Sequence, residues 1–233
     1  MSETFILIMP SFNEEKHIEN TTNSWAKIVS EFPGSELLII DGDSTDATRD
    51  KIGTLTQKYK FLNLIHKPRE GYGKDLIYGY KYAINSKHDW IFQTDSDGHF
   101  VPSDFYKLWR KRKSSPLIIG KRFKRKDAKT RLILASIIEL WIQTLFGKII
   151  KDSNIPFRLV RRDYLKRIIH KVPPGTIAPN IFLTILAARD GHNLYHIPVK
   201  HKPRKKNGHN KFKLLKGALQ GFFELLLFSI KLV

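Results

Sequence analysis

Residues 90–100 have the sequence WIFQTDSDGHF, in which a short, mostly apolar run leads directly to two aspartates, Asp95 and Asp97. Such a run predicts a buried strand, here Trp90 to Gln93. The two carboxylates follow on the turn that leaves the strand, where both can reach one cation. Mg²⁺ and Mn²⁺ prefer oxygen ligands together with substrate phosphates. The stretch therefore predicts a strand end that carries a divalent-metal site, with a turn closed by Asp side chains as the alternative.

Three similar apolar runs precede this stretch, and a helix-length segment separates each from the next. Strands are predicted at 5–9, 37–40 and 62–66, and helices at 16–32, 46–59 and 74–85. Ser44 or Thr45 can cap the second helix. Strands that alternate with helices at this spacing form βαβ units. We therefore predict an α/β domain with a Rossmann-like, mostly parallel central sheet flanked by helices.

Polar clusters follow all four predicted strands. They occupy residues 11–14, 41–46, 69–74 and 95–99. In a parallel sheet, ligands bind in the crevice beyond the carboxyl ends of the strands. The four clusters are therefore expected to meet in one polar crevice that is rich in carboxylates.

The second half of the chain is less regular. Short strands are predicted at 117–120 and 194–199, a strand and helix within 158–170, and a helix at 181–190. Two mostly apolar stretches, 132–150 and 214–233, are interrupted by charged residues and lack the roughly 18 uninterrupted apolar residues that spanning requires. They are interpreted as interfacial helices at a membrane surface, with packing in the core or in an oligomer interface as the alternative. The predicted division is a catalytic domain at 1–212 and a C-terminal helix at 213–233.

The chain is strongly basic, with 41 Lys and Arg against 22 Asp and Glu and a net charge of +19. The acidic residues concentrate before residue 105, whereas 107–131 contains one acid and 200–216 contains none. A basic face of this kind fits nucleic acid, an anionic membrane surface or a phosphate-bearing substrate, and a merely solvated surface is the alternative.

The chain has no cysteine, which excludes structural disulfides, thiolate metal sites and cysteine nucleophiles. Residues 1–10 are too short and too polar at their start for a secretion signal. We therefore expect a cytoplasmic location. The apolar stretches and the basic residues near them predict peripheral association with the cytoplasmic face of a membrane.

The sequence also resembles family 2 glycosyltransferases of the GT-A fold, and within them the polyprenyl-phosphate sugar transferases such as dolichyl-phosphate mannose synthase. The matching segments occur in the family's order and spacing and cover most of the chain. They are MPSFNEE (9–15), IIDGDSTDAT (39–48), KPREGYGKD (67–75), QTDSDGHF (93–100), IIGKRF (118–123), FGKIIKDSNIPFRLVRR (146–162) and KKNGHNK (205–211).

This resemblance implies a nucleotide-sugar donor, Mg²⁺ or Mn²⁺ as cofactor, and a role for each matching residue. The implied metal ligands are Asp95, Asp97 and His99, and His99 replaces a glutamine usual in the synthases. The residues implied to bind the nucleotide-sugar are Pro10, Phe12, Asn13, Glu14, Asp41, Asp43, Arg69, Gly73, Lys74 and Ser96. Those implied to hold the acceptor phosphate or the diphosphate are Arg122, Arg131, Lys205 and Lys211. Gly71 and Gly73 permit close approach of the backbone to a ligand.

Catalytic roles are expected for Asp95, Asp97 and Arg122. Asp152 is a candidate for a role near the acceptor, and an ordinary turn aspartate is the alternative. Three segments depart from the family pattern: Asp41–Ser44 reads DGDS instead of DDGS, Ile155–Pro156 replaces Ser-Gly, and Asn210 replaces a serine. These departures bear on the identity of the acceptor more than on the identity of the donor.

The resemblance implies an inverting, metal-dependent enzyme that moves a hexose from a GDP- or UDP-sugar to a polyprenyl phosphate of the dolichyl type. The alternative keeps this donor chemistry but uses a glycan or another lipid as acceptor in cell-surface polysaccharide synthesis. A distant alternative is a non-catalytic nucleic-acid-binding protein. That class interleaves aromatic and basic residues on one surface, whereas here the basic runs flank apolar helices. Nucleic acid is therefore not an expected partner.

Overall fold

The computed structural model describes residues 3–122, 129–147, 150–202 and 211–231, with the backbone alone at 129–132 and 211–216. The strands of this part of the chain are β1 (Phe5–Ser11), β2 (Glu36–Asp41), β3 (Leu62–His66), β4 (Trp90–Thr94), β5 (Leu117–Arg122), β6 (Phe157–Arg161) and β7 (Tyr195–Val199). The helices are α1 (Ile18–Ser30), α2 (Thr48–Lys58), α3 (Tyr72–Ile84), α4 (Phe105–Lys111), α5 (Lys129–Phe146), α6 (Arg162–Ile168), α7 (Pro179–Arg189) and α8 (Lys211–Lys231).

The strands form one sheet in the order β3-β2-β1-β4-β6-β5-β7. β1, β2, β3 and β4 pair in parallel, and β5 pairs in parallel with β7. β6 lies antiparallel between β4 and β5. The prediction of a mostly parallel α/β sheet is therefore confirmed. Because β6 runs the other way, the residues that precede it reach the edge where the other strands end.

The core consists of the apolar residues that the strand pattern predicted. Phe5 to Met9 of β1 are fully buried, as expected of a central strand with helices on both faces. Trp25 of α1 packs against Phe92 and Phe157 at ring-centroid distances of 5.3 and 6.0 Å. The aromatic packing makes Trp25 a core residue.

Two details differ from the sequence-based expectation. α2 begins at Thr48, whose backbone N–H donates to Asp46, so neither Ser44 nor Thr45 caps this helix. Both residues instead bond to the loop after β1. The segment after residue 104, which lacked a clear pattern, contains α4, whose Phe105 and Leu108 are buried.

α5 and α8 pack against each other. The rings of Trp141 and Phe222 lie 4.1 Å apart, and Phe228 packs on Phe182 of α7 at 4.8 Å. No helix in the described ranges is both long enough and apolar enough to cross a membrane. The division at residue 212 stays a prediction.

Candidate functional site

Two cavities open at the carboxyl end of the sheet, and both are lined by Asp95 and Asp97. The first, called the polar cavity, has a volume of about 210 Å³. Its lining is Pro10, Ser11, Phe12, Glu14, Gly42, Arg69, Gly71, Tyr72, Asp75, Asp95, Ser96 and Asp97. The second, called the apolar-walled cavity, has a volume of about 430 Å³ and extends between α5 and α8. The crevice predicted from the strand ends therefore exists, and it has two parts.

Five of the ten residues expected to bind the nucleotide-sugar line the polar cavity. Pro10, Phe12, Glu14, Arg69 and Ser96 line it together with the two aspartates of the predicted metal motif. Arg69 stacks its guanidinium on the Phe12 ring at 3.4 Å from the centroid. A cation stacked on an aromatic face makes a rigid flat surface, which suits the plane of a base.

Asn13 lies beside this cavity and ties two loops together. Its backbone has a positive φ of 53°. Its N–H donates to the Ser44 hydroxyl at 3.0 Å, and its side-chain oxygen accepts from the Thr45 N–H at 2.8 Å. The asparagine therefore fixes the loop that presents Phe12 and Glu14.

Asp41 and Asp43 do not line either cavity. Asp41 is fully buried, and its carboxylate accepts from the Ser44 N–H and contacts His66 Nδ1, both at 3.1 Å. Asp43 adopts a positive φ of 64° and lies 3.7 Å from His66 Nε2. In this structure both carboxylates shape the loop after β2.

The remaining two members of the nucleotide set also lie outside the linings. Lys74 is half exposed and pairs with Glu70 at 3.3 Å. A Cβ atom at Gly73 would lie 2.0 Å from the carbonyl oxygen of Thr176. The reason for glycine at 73 is therefore a close approach by the protein's own backbone, whereas the sequence suggested approach by a ligand.

A polar network that the sequence analysis did not identify supports Asp95; its inner members Gln93 and Asn180 are fully buried, and Tyr72 is partly exposed. The Tyr72 hydroxyl donates to Asp95 at 2.9 Å and accepts from the Gln93 amide at 3.0 Å. Asn180 donates in turn to Gln93 at 3.0 Å. Desolvation and the adjacent Asp95 raise the pKa of Tyr72 well above its usual value, so the hydroxyl stays a donor.

The donor atoms near the motif fit a hard divalent cation. His99 Nδ1 contacts the carbonyl of Lys202 at 3.0 Å, so this nitrogen carries the proton and leaves a lone pair on Nε2. His99 Nε2 lies 3.7 Å from Asp97 Oδ2. Among the residues that the structure describes, no three His, Asp or Glu side chains are gathered closely enough to hold a metal by themselves. Mg²⁺ and Mn²⁺ sites of this kind are completed by substrate phosphates and water.

Arg122 and Asp152 form an ion pair, and both residues line the apolar-walled cavity. Asp152 has a positive φ of 51° and is mostly buried. Its carboxylate accepts from the Arg122 backbone N–H and Nε, both at 3.1 Å, and also pairs with Arg122 Nη2. Its own N–H donates to Glu139 at 3.0 Å. The structure therefore joins two residues that the sequence analysis assigned separately to the acceptor side.

Arg158 holds the segment that presents Asp152. It is fully buried and donates to the backbone carbonyls of Ser153, Ile155 and Asn180. The other acceptor candidates fall where no contacts are described: Lys205 lies outside the described residues, and at Arg131 and Lys211 only the backbone is described.

Comparison with known proteins identifies the family. The profile of Glycosyl transferase family 2 matches residues 6–172, which include Asp95, Asp97 and Asp152. The chain belongs to glycosyl transferase family 2. It is 22% identical over 207 residues to the undecaprenyl-phosphate mannosyltransferase of Micrococcus luteus, covering 86% of this chain and 84% of that protein. It is 24% identical over 214 residues to the UDP-N-acetylglucosamine–dolichyl-phosphate N-acetylglucosaminyltransferase of Methanococcus voltae, covering 83% and 84%.

Solved structures establish the fold of this glycosyltransferase. Glucosyl-3-phosphoglycerate synthase from Mycobacterium tuberculosis, crystallised with Mn²⁺, UDP-glucose and phosphoglyceric acid, superimposes with a TM-score of 0.70 at 16% identity. The match covers 97% of this chain and 80% of the synthase. The glycosyltransferase has the GT-A fold, and family and fold together make it an enzyme that uses a nucleotide-sugar.

Proposed function

We propose that this glycosyltransferase is an inverting, metal-dependent enzyme that moves a hexose from a GDP- or UDP-sugar to a polyprenyl phosphate at a membrane surface. One observation supports the proposal above the others. A polar cavity and an apolar-walled cavity meet at Asp95 and Asp97. A nucleotide-sugar fits the first cavity, and an acceptor with an anionic head and a hydrocarbon tail fits the second.

On the donor side, Phe12 and Arg69 would bind the base, and Glu14 would bind the ribose. Asp95, Asp97 and His99 would hold Mg²⁺ or Mn²⁺, which supplies Lewis-acid neutralisation of the leaving diphosphate. Tyr72 keeps Asp95 oriented through its hydrogen bond. Orientation of this kind lowers the reorganisation needed at the moment of reaction.

On the acceptor side, the lining of the cavity combines charged and apolar residues. Arg122 and Asp152 line the cavity together with Asp95 and Asp97. The walls are apolar or small side chains from α5, α7, α8 and the residues before α7: Leu134, Ala135, Ile138, Ile177, Ala178, Ile181, Gly217, Ala218 and Gly221. A guanidinium suits a phosphate, and the walls suit a hydrocarbon chain.

The proposed reaction forms a bond from an acceptor phosphate oxygen to the anomeric carbon while the bond to the donor diphosphate breaks. A phosphate acceptor is already an anion, so the reaction needs no general base. Asp152 fits this chemistry, because its carboxylate is paired with Arg122 and thereby positions the guanidinium. In-line displacement inverts the anomeric configuration.

The helices beside the apolar-walled cavity present apolar side chains to solvent. We define the exposed stripe as Ile133 and Leu140 of α5 with Leu219, Phe223, Leu227 and Ile230 of α8; each of these residues is at least half exposed. On α8 the spacing of three and four residues puts its members on one helix face. Exposed apolar patches mark interaction sites, and the net charge of +19 favours an anionic lipid surface. We therefore propose peripheral membrane binding through this stripe.

The acceptor assignment is tested by transfer assays with undecaprenyl and dolichyl phosphate, using labelled GDP-mannose, UDP-glucose and UDP-GlcNAc as donors. One donor should yield a lipid-extractable product. Gly221 lines the apolar-walled cavity, and a Cβ there would meet no atom within 4 Å. Gly221→Leu should raise the KM for the polyprenyl phosphate about tenfold by occupying space meant for the chain, with an unchanged KM for the donor.

The matched control is Gly53→Leu, because Gly53 lies in α2 and also has no neighbour within 4 Å of its Cβ position. It should leave both KM values unchanged. Transfer to a hydroxyl-bearing glycan with none to the prenyl phosphates would contradict the proposed acceptor.

Membrane binding is tested by sedimentation with vesicles that contain anionic lipid. Phe223→Glu combined with Leu227→Glu should lower the vesicle partition coefficient at least about tenfold, because two exposed apolar side chains no longer enter the lipid. The control makes the same change in net charge on the exposed face of α2, with Thr54→Glu and Gln57→Glu. Equal binding by both double variants would show that the stripe does not contact the membrane.

A further inference from the structure

One carboxylate in the polar cavity has no role in the proposed reaction. Asp75 lies in the first turn of α3, is 5% exposed and lines the cavity. Its Oδ1 accepts from Lys67 Nζ at 2.8 Å. Its Oδ2 makes no hydrogen bond within the part of the chain that the structure describes. A carboxylate of a largely buried residue that lines a cavity is well placed to accept a hydrogen bond from a ligand there.

The neighbours of Asp75 fix the position of its carboxylate at the cavity. Lys67 is mostly buried, and its ammonium binds both Asp75 and Glu70 at 2.8 Å. Burial opposes the charge of Lys67, yet these two bonds raise its pKa above the ordinary value. A Cβ atom at residue 42 would lie 2.8 Å from Asp75 Oδ2, so only glycine there lets the carboxylate lie this close to the loop after β2.

Asp41, the carboxylate that the family resemblance assigns to the base or ribose, is engaged elsewhere. It is fully buried and held by Ser44 and His66. Asp75, and not Asp41, therefore has its carboxylate at the polar cavity, near the ends of β2 and β3, where it can accept a hydrogen bond. The stacked pair of Phe12 and Arg69 lines the same cavity, which places an aromatic platform and a hydrogen-bond acceptor in one pocket.

We propose that Asp75 recognises the base of the donor by accepting a hydrogen bond from a ring N–H. This inference rests on the proposed nucleotide-sugar donor and specifies its base. Uracil at N3 and guanine at N1 carry such a hydrogen, whereas cytosine N3 and adenine N1 carry a lone pair. A carboxylate oxygen accepts such a hydrogen, whereas a lone pair at the same position repels it. At the ring nitrogen, Asp75 therefore favours uracil or guanine over cytosine and adenine.

The expected difference in affinity between bases follows from the energetics of buried hydrogen bonds: a formed bond contributes modestly, whereas a group left without its partner is costly. A hydrogen bond to a charged acceptor is stronger than one between neutral groups, and a base without the ring hydrogen leaves the carboxylate unsatisfied. Sites built around such a bond reject a ligand that lacks the partner more strongly than apolar pockets reject a size change. We therefore expect UDP or GDP to bind about 10- to 100-fold more tightly than CDP and ADP.

The test measures dissociation constants of UDP, GDP, CDP and ADP for the full chain with Mn²⁺ by calorimetry. Asp75→Asn keeps the size of the side chain but changes Oδ2 into a possible donor. Asp75→Asn should raise the dissociation constant of the preferred nucleotide about 10- to 100-fold. The ratio between the dissociation constants of CDP or ADP and that of the preferred nucleotide should become smaller. Asp50→Asn on the exposed surface of α2 is the matched control and should change nothing.

The role of Asp75 can also be tested with modified nucleotides and the unmodified protein. N3-methyl-UDP, or N1-methyl-GDP if guanine is preferred, lacks the ring hydrogen and should bind the unmodified protein about 10- to 100-fold more weakly. Equal binding of the methylated and parent nucleotides, or an unchanged base preference in Asp75→Asn, would overturn the role of Asp75 while leaving the transferase proposal intact. If the unmodified protein binds none of the four nucleotides, the donor proposal and the role of Asp75 both fail.

Discussion

Asp97→Asn is expected to lower kcat/KM for sugar transfer by about 10²–10³-fold, because a metal that neutralises the leaving diphosphate contributes several kcal/mol to the transition state. An amide oxygen carries no net charge and is a weaker ligand than a carboxylate. The substitution still leaves an oxygen that can accept from the His99 N–H, a bond of 3.2 Å in this structure. The turn should therefore persist, and the loss should be one of metal binding.

Two measurements distinguish this loss from misfolding. The Mn²⁺ dependence of UDP or GDP binding should disappear in Asp97→Asn, whereas the thermal unfolding temperature should stay close to that of the unmodified protein. Asp50→Asn makes the same chemical change on an exposed helix surface and should retain full activity. A variant that transfers sugar normally with the same Mn²⁺ requirement would contradict the role of Asp97.

Gly73→Ala is expected to destabilise the protein by about 2–3 kcal/mol, the upper part of the range for overpacking a buried site. The added Cβ would lie 2.0 Å from the Thr176 carbonyl oxygen and 3.0 Å from the backbone of Ile177. Neither group can move without displacing the segment before α7. For a chain of this size the unfolding temperature should fall by about 4–12 °C.

Gly53→Ala provides the matched comparison. Gly53 is also a helical glycine, but a Cβ there meets nothing within 4 Å. Alanine favours helix over glycine by about 1 kcal/mol, so this variant should unfold at the same or a higher temperature. If Gly73→Ala is as stable as Gly53→Ala, the close approach of 176–177 does not explain the glycine.

The positions of the strands were largely predictable from the sequence. Residues 62–66 form the strand predicted from a single apolar run, and the other predicted strands differ by one or two residues at their ends. Apolar runs determine strands locally, because each run must be buried on both faces of the sheet. The carboxyl ends of parallel strands then meet at one edge. Phe12, Arg69 and Asp95 could therefore be assigned to one crevice without coordinates.

The orientation of β6 could not be predicted in this way. Its apolar pattern is the same in either direction, yet its antiparallel pairing with β4 and β5 brings Asp152 to the functional edge. A family resemblance placed Asp152 near the acceptor. Its bonds to Arg122 and Glu139 follow only from the direction of the strand that comes after it.

The sequence by itself therefore determined the α/β class and most of the lining of the polar cavity, because these depend on periodicity and on residues adjacent to strand ends. The tertiary structure decided the support of Asp95 by Gln93 and Asn180, which lie 87 residues apart. It also decided that Asp41 is engaged by its own loop while Asp75 faces the cavity. Hydrogen bonds of this kind depend on how α3 and α7 pack together. Local sequence patterns do not predict them, because packing brings the partner residue from a distant segment of the chain.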